Sequence, residues 1–436
     1  MKKSSHIYHI LIGFLLLYNT ISCKVIVQPE ENPLTKEIND ALDYPVFRKQ
    51  LSGIISVTIG KEEVFSKVYY LSNDIPENYR EVKMDDNTQF MIGSLTKQFT
   101  AMAILILQQR GLLELDDNIN KFIPNFPWGN VINIHDILTH TAGLPRDPFH
   151  EYMIQSFDAD FPDTYIRNIV TDPLRQRTIM SEYIFSEKQN KYLLKNNVSD
   201  NKKGQLMNVL FQTCYITDTM YQSPTELVTE LLARNRIKIL STPGRKYTYS
   251  NLGYIILGYL IEKLSGQTLA EFMEDNIFSP LGMSRTGFNY DVTDDFAIGL
   301  SDYDEAVTRS INMEVWPGAA GGLHSTMHDL RNWATFLTDD RLMPAEQKAL
   351  IWGPYHKIGA SNYGYGMMTT QRKINGKEIT DIHHNGYIMS YNSSLHIIPE
   401  ENIKIVILSN DIRRKSATDL YGQETFVDTI LNVVVK

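Results

Sequence analysis

A lysine at the head of an otherwise apolar run limits what this chain can become. Gln98 to Gln109 reads Gln-Phe-Thr-Ala-Met-Ala-Ile-Leu-Ile-Leu-Gln-Gln. A helix of that composition is apolar on nearly every face, so it belongs inside the protein. Arg110-Gly111 supplies a basic residue and a glycine to stop it. Lys97 is therefore carried inward, and lost hydration favours its neutral form or demands a partner. Ser94 stands three residues earlier, one turn away on the same helix face. That puts an amine beside a hydroxyl, which is a poor nucleophile at neutral pH without a neighbouring base or charge. The bland alternative is a snorkelling lysine next to an N-capping serine. Spacing alone decides little, because Ser199 to Lys202 repeats it in a polar run with no apolar helix behind.

A second pattern lies far downstream. Tyr-x-Asn occurs once, at Tyr249-Ser250-Asn251, after the Pro243-Gly244 turn and before an apolar run that reads as a helix ending near Ser265-Gly266. Tyr249 then sits on a loop at a helix entrance, where a side chain can face a cleft. A phenol beside ammonium groups has a depressed pKa and can accept a serine proton. Equally, Tyr249 is one of 24 tyrosines and packs, and Asn251 is a helix cap.

The third pattern is His384-Asn385-Gly386, with Lys357-Ile358-Gly359 as a rival basic-x-Gly triplet. Two runs follow the first, Tyr387 to Pro399 and Asn402 to Asn410. Both are rich in β-branched and aromatic residues, they flank a Pro-Glu-Glu turn, and they read as a hairpin. A triplet on the strand before that hairpin can line a cleft edge. There the Tyr387 amide can join that of Ser94 around a developing oxyanion, and His384 can meet a substrate carboxylate. The plainer alternative makes His383 and His384 surface residues at a strand end.

Three patterns in this order resemble the beta-lactamase-related serine hydrolases, a group with class C beta-lactamases, D-alanyl-D-alanine carboxypeptidases, D-amino-acid peptidases and esterases. Further stretches carry the resemblance over roughly residues 35 to 430. His135 to Pro145 (HDILTHTAGLP) is similar to that group's "LLTHTSGLP", Ala319 to Leu330 to its "AGGLxSTxxDL", and Pro280-Leu281-Gly282-Met283 to its "PLGM" turn. The resemblance implies an acylated Ser94, a proton-transfer pair of Lys97 and Tyr249, an Asn251 that positions the substrate amide, and a far wall of His384 and Gly386. The oxyanion hole would come from the amides of Ser94 and Tyr387. Class C beta-lactamases usually carry lysine where His384 stands, while histidine is familiar in the peptidase and esterase members. Substrates implied are D-alanyl peptides, beta-lactams or small esters, with no cofactor.

The N-terminus speaks to location. Met1-Lys2-Lys3 precedes an apolar stretch, Ile10 to Ile21, too short for a comfortable span and typical of a secretory signal over residues 1–22. Ser22-Cys23 resembles a bacterial lipoprotein cleavage site, although Thr20 stands where leucine is usual. The expectation is an exported protein, periplasmic or anchored to a membrane through a lipidated Cys23. Ordinary signal cleavage and an uncleaved anchor are the alternatives. Cys214 would then have no intramolecular partner, as the chain has two cysteines. A formal charge of −9 argues against a nucleic-acid partner. No histidine spacing matches a metal site: His135 and His140, and His383 with His384, lack carboxylate or cysteine partners at ligand spacing.

The expected fold is α+β: a mainly antiparallel sheet flanked by helices, with an inserted helical lobe, of the beta-lactamase and penicillin-binding transpeptidase type. Residues 51–60 and 63–71 open it as a hairpin, and 422–436 close it as a helix on the sheet. Residues 35–93 and 291–436 form the sheet subdomain and 94–290 the helical one, with the cleft between. Within the helical part, 186–205 is lysine- and asparagine-rich and reads as a solvated loop or flap, or as an insertion with no role in the site.

Overall fold

The computed structural model describes residues 32–43, 51–70, 83–147, 161–162, 183–186, 191–195, 223–233, 235, 237–288, 295–297, 299, 318–339, 341–388, 391–411 and 422–436. The proposed signal, Cys23 and Cys214 lie outside them.

Strands in chain order are β1 (Gly53–Ile59), β2 (Glu62–Tyr69), β3 (Phe90–Met91), β4 (Phe161–Pro162), β5 (Tyr183–Ser186), β6 (Lys191–Leu194), β7 (His324–Ser325), β8 (His356–Ile358), β9 (Ser361–Tyr363), β10 (Met368–Ile374), β11 (Lys377–Ile388), β12 (Tyr391–Ile398) and β13 (Ile403–Ser409). Eight of them make one sheet in the order β2-β1-β13-β12-β11-β10-β9-β8. Every described pairing in it is antiparallel. The opening hairpin is present, and β12 and β13 pair across Pro399–Glu401 with Ile398 opposite Ile403.

Period-two alternation makes this sheet two-sided. Along β13, Val406 and Leu408 join the larger core, while Ile405 and Ile407 join the smaller. The smaller core is closed by α1 (Pro33–Leu42) and by the C-terminal helix Gly422–Val434, which buries Phe426, Val427, Ile430 and Leu431 against the sheet. At the expected helical spacing Val434 is only half-buried and Val435 takes the inner position.

The larger core lies between the other sheet face and the helices α2 (Thr96–Gln109), α3 (Ile134–Leu138), α4 (Pro224–Ala233), α5 (Asn251–Ser265), α6 (Leu269–Met273) and α7 (Met327–Leu337). α2 is buried from Thr96 to Leu107, as its all-round apolarity requires. It stops at Arg110, with Gly111 at φ 70°, and α5 stops at Gly266 at φ 73°, both in the left-handed region that suits glycine. Within the stretch expected as a flap, Lys-Tyr-Leu-Leu forms β6 and pairs with β5, because that tetrapeptide interrupts the polar run with strand-forming residues. The rest of that stretch, apart from Ser186 and Lys195, lies outside the described residues.

Candidate active site

The site forms where α2, α5 and β11 converge. Ser94 lies on a single 3-10 turn, Gly93–Leu95, that runs directly into α2. A 3-10 turn eclipses residues three apart, so Ser94 and Lys97 still share a side. Two close approaches fix the turn against β11. A Cβ on Gly386 would stand 1.9 Å from the Ile92 carbonyl oxygen, and one on Gly93 would stand 2.7 Å from the Tyr387 amide nitrogen. Both positions therefore require glycine, and the Tyr387 backbone is held next to Ser94. Ser393 on β12 adds a hydrogen bond from its hydroxyl to Ile92 O at 2.7 Å.

Three predicted residues meet at one oxygen. Lys97 Nζ is 3.1 Å from Ser94 Oγ, and the Tyr249 hydroxyl donates to the same Oγ at 2.8 Å. Lys97 Nζ also lies 2.9 Å from Asn251 Oδ1 and 2.5 Å from the Ala320 carbonyl oxygen. These contacts suit a neutral amine. A neutral amine has two N–H groups, which Asn251 and Ala320 accept, and one lone pair, which accepts the Ser94 O–H. Each polar group then has a partner. An ammonium would donate to Ser94 as well and leave the serine proton without an acceptor among these groups. Burial acts in the same direction: it drives Lys97 well below the ordinary lysine value, Asp147 opposes this, and Arg146 adds to it.

Tyr249 departs from the expected depressed pKa. It is half-buried, and burial raises its phenol above the ordinary value; the Ser94 hydrogen bond and the Arg146 charge lower it, but not enough to cancel burial. The neighbouring amine is itself held neutral, so it supplies no cation to pull the phenol down. The Lys97 nitrogen sits 4.8 Å from the Tyr249 ring centroid.

Asn251 is not a cap. Ser250 is the N-cap of α5, accepting from the Gly253 amide, and Asn251 is the first helical residue. Its side chain is thereby free to bridge Lys97 through Oδ1 and Asp147 through Nδ2, the latter at 2.7 Å. Asp147, Arg146 and the Ala320 carbonyl were not among the predicted residues. The charged pair Arg146-Asp147 straight after Leu-Pro was a readable signal for the first two; a backbone carbonyl leaves none. The segment 318–323 reaches Lys97 because β3 pairs with β7 and Ile92 N–H donates to Leu323 O at 3.0 Å.

His384 faces the site side, 6.4 Å from the Tyr249 ring, but it does not offer a nitrogen for a substrate carboxylate. Its Nδ1 bonds the Asn385 carbonyl at 2.7 Å and its Nε2 bonds the Tyr363 hydroxyl at 3.3 Å. Burial lowers it to about 3, against the Asn385 hydrogen bond that favours the charged ring. The ring is buried, and its polar contacts in this structure are internal ones. The rival triplet Lys357-Ile358-Gly359 lies at the sheet edge, on β8 and the turn after it. Among the described residues, no group of three or more histidine, cysteine or acidic side chains is placed to hold a metal.

The Beta-lactamase family pattern matches residues 39–178 and 216–423. The chain belongs to the beta-lactamase family of serine hydrolases. It is 23% identical over 395 residues to Protein flp of Staphylococcus aureus (strain MW2), covering 87% of this chain and 64% of that protein. Penicillin-binding protein 4* of Bacillus subtilis (strain 168) is 22% identical over 362 residues, covering 79% of this chain and 65% of the relative. The chain thus spans somewhat less than two thirds of these relatives. In structure it resembles D-amino acid amidase from Ochrobactrum anthropi SV3, with a TM-score of 0.61, 20% identity, and coverage of 93% of this chain and 99% of the amidase. The expected sheet-plus-helices fold of this family is the one observed.

Proposed function

We propose that this family member is an exported hydrolase that cleaves an amide or ester through an acyl-enzyme on Ser94, its substrate a D-alanyl peptide, a beta-lactam or a small ester. The observation that carries the reading is the pair of contacts on Ser94 Oγ, from Lys97 Nζ at 3.1 Å and from Tyr249 OH at 2.8 Å. Neutral Lys97 takes the serine proton as Oγ attacks the carbonyl carbon. The carbonyl π pair moves to oxygen, which the amides of Ser94 and Tyr387 receive. Tyr249, protonated at rest, delivers its proton to the leaving nitrogen or oxygen and regains one from Lys97. Water then repeats the sequence on the acyl ester. Asn251 and Asp147 hold the amine in register. The basic start, apolar stretch and Ser22-Cys23 pair support export, with periplasmic residence or membrane attachment through Cys23.

A second reading, an esterase, is favoured by one observation: both ring nitrogens of His384 are engaged internally, by the Asn385 carbonyl and the Tyr363 hydroxyl. Three probes separate the readings: a fluorescent penicillin, a p-nitrophenyl ester and a D-Ala-D-Ala peptide. Stable labelling at Ser94 indicates a penicillin-binding peptidase, and fast ester turnover without labelling indicates an esterase. Silence with all three contradicts the proposal.

A further inference from the structure

Behind Tyr249 runs a hydrogen-bonded chain that links two histidines of the site wall through one phenol. The Ser250 backbone N–H donates to His140 Nδ1 at 3.1 Å. His140 Nε2 is 3.0 Å from the Tyr363 hydroxyl, and that hydroxyl is 3.3 Å from His384 Nε2. His384 Nδ1 ends the chain on the Asn385 carbonyl. Both ends have fixed polarity, since a backbone N–H only donates and a backbone carbonyl only accepts. His140 must therefore carry its hydrogen on Nε2, which donates to the Tyr363 oxygen. His384 must carry one on Nδ1, so its Nε2 accepts the Tyr363 proton. The three side chains are buried, and His140 is held in the left-handed region at φ 61°, a backbone position that places its ring between Ser250 and Tyr363.

We propose that Tyr363 is a specificity-determining positioning residue: by donating to His384 Nε2 it locks His384 as a neutral ring with both nitrogens engaged, and so selects substrates whose leaving group carries no carboxylate, esters and carboxamides over carboxylate-ended peptides. The proposal rests on the serine-hydrolase reading of this site. The groups facing His384 all fit a neutral ring. Lys97 and Tyr249 lie on the site side, and His140, Tyr363 and Tyr254 form the wall. His383 lies on the other face of β11, where it bonds Thr370. Arg146 stands near this wall as a cation, largely exposed and 5.7 Å from the Tyr249 ring.

The test uses the full chain and its Tyr363→Phe variant. Nitrogen-15 spectra of the histidine rings, with His384 assigned through His384→Asn, report tautomer and charge directly. The wild type should show His384 as the neutral Nδ1–H form from pH 8 to pH 5, and Tyr363→Phe should let that ring titrate within the range. Kinetics on N-acetyl-D-alanyl-D-alaninamide and the matching carboxylate should show the wild type preferring the amide, with the preference falling by about tenfold or more at pH 5.5 in Tyr363→Phe, the scale of one hydrogen bond to a charged group. A wild-type His384 that titrates near 6, or carries its hydrogen on Nε2, overturns the proposal. So does an unchanged preference in the variant. If neither protein turns over either substrate or a p-nitrophenyl ester, the hydrolase reading fails, while the wild-type spectra still decide the Tyr363 assignment even if the variant does not fold.

Discussion

Among the described residues two lysines are fully buried, Lys97 and Lys348, and they do different work. Lys348 donates to the carbonyl oxygens of Phe336 at 2.7 Å, of Asp339, and of Arg341 at 3.4 Å, with Asp339 Oδ1 at 3.5 Å. All are acceptors, at and just beyond the C-terminal end of α7, where a helix end favours a cation. Such a set holds an ammonium with all three N–H groups used. Lys97 meets two acceptors and one hydroxyl, and the hydroxyl has a proton to give. Burial alone therefore does not make a base. The number of acceptors around the nitrogen decides whether a lone pair is left, and only Lys97 keeps one next to a nucleophile.

Substitutions at the two lysines should separate cleanly. Lys97→Met and Ser94→Ala should each lower kcat by on the order of 10⁶ while circular dichroism stays native, as losses in a unit of this kind do. Lys97→Arg should be as inactive, since a guanidinium keeps the charge but cannot take a proton. An active Lys97→Arg would break the comparison. Tyr249→Phe should lose about 10² to 10⁴ in kcat/KM, the range of one positioned acid–base group. Lys348→Met should leave kcat unchanged and lower unfolding free energy by about 1–3 kcal/mol for each carbonyl left without a partner and away from water. Urea titration measures it, and a kcat loss in that variant would blur the distinction.

The smallest expected effect is a pH slope. Burial lowers His384 to about 3 and His383 to about 4, with Asp381 opposing the latter shift and His396 and Arg372 adding to it. Unfolding returns both rings to an ordinary value of about 6.5, so below that the unfolded chain takes up the protons first. Their stability is complete above about pH 6.5 and is lost as pH falls toward 4, by about 1.4 kcal/mol per pH unit for each ring. Urea midpoints from pH 7 to 4.5 should show the slope, and His384→Asn should reduce it. Burial tends to raise Asp381, but the His396 charge and hydrogen bond, with His383 and Arg372, bring it down to about 2, so its loss belongs to a separate window below about 3.8.

What the sequence made legible follows from local chemistry. The all-round apolar run forced α2 inside, and the β-branched runs on either side of Pro-Glu-Glu announced the β12–β13 hairpin. Ser94, Lys97, Tyr249 and Asn251 come together as expected. Illegible were the residues whose role depends on who stands opposite. The Ala320 carbonyl carries no side-chain signal, and Tyr363 was one aromatic among many until β9 brought it between His140 and His384. The phenol's direction of shift was misread for the same reason: it depended on Lys97 being neutral, which the Asn251 and Ala320 contacts decide. The burial of His384 was not legible either, since adjacent histidines at a strand end do not announce it.

The central claim is that Ser94 becomes acylated because a neutral Lys97 takes its proton. Its most direct measure is intact-mass analysis with peptide mapping after rapid quench of a p-nitrophenyl ester or penicillin reaction. The account predicts one acyl group per chain, on the peptide containing Ser94, absent from Lys97→Met and from Lys97→Arg. An acyl group on another residue, or an equally fast adduct at Ser94 in Lys97→Arg, would contradict it.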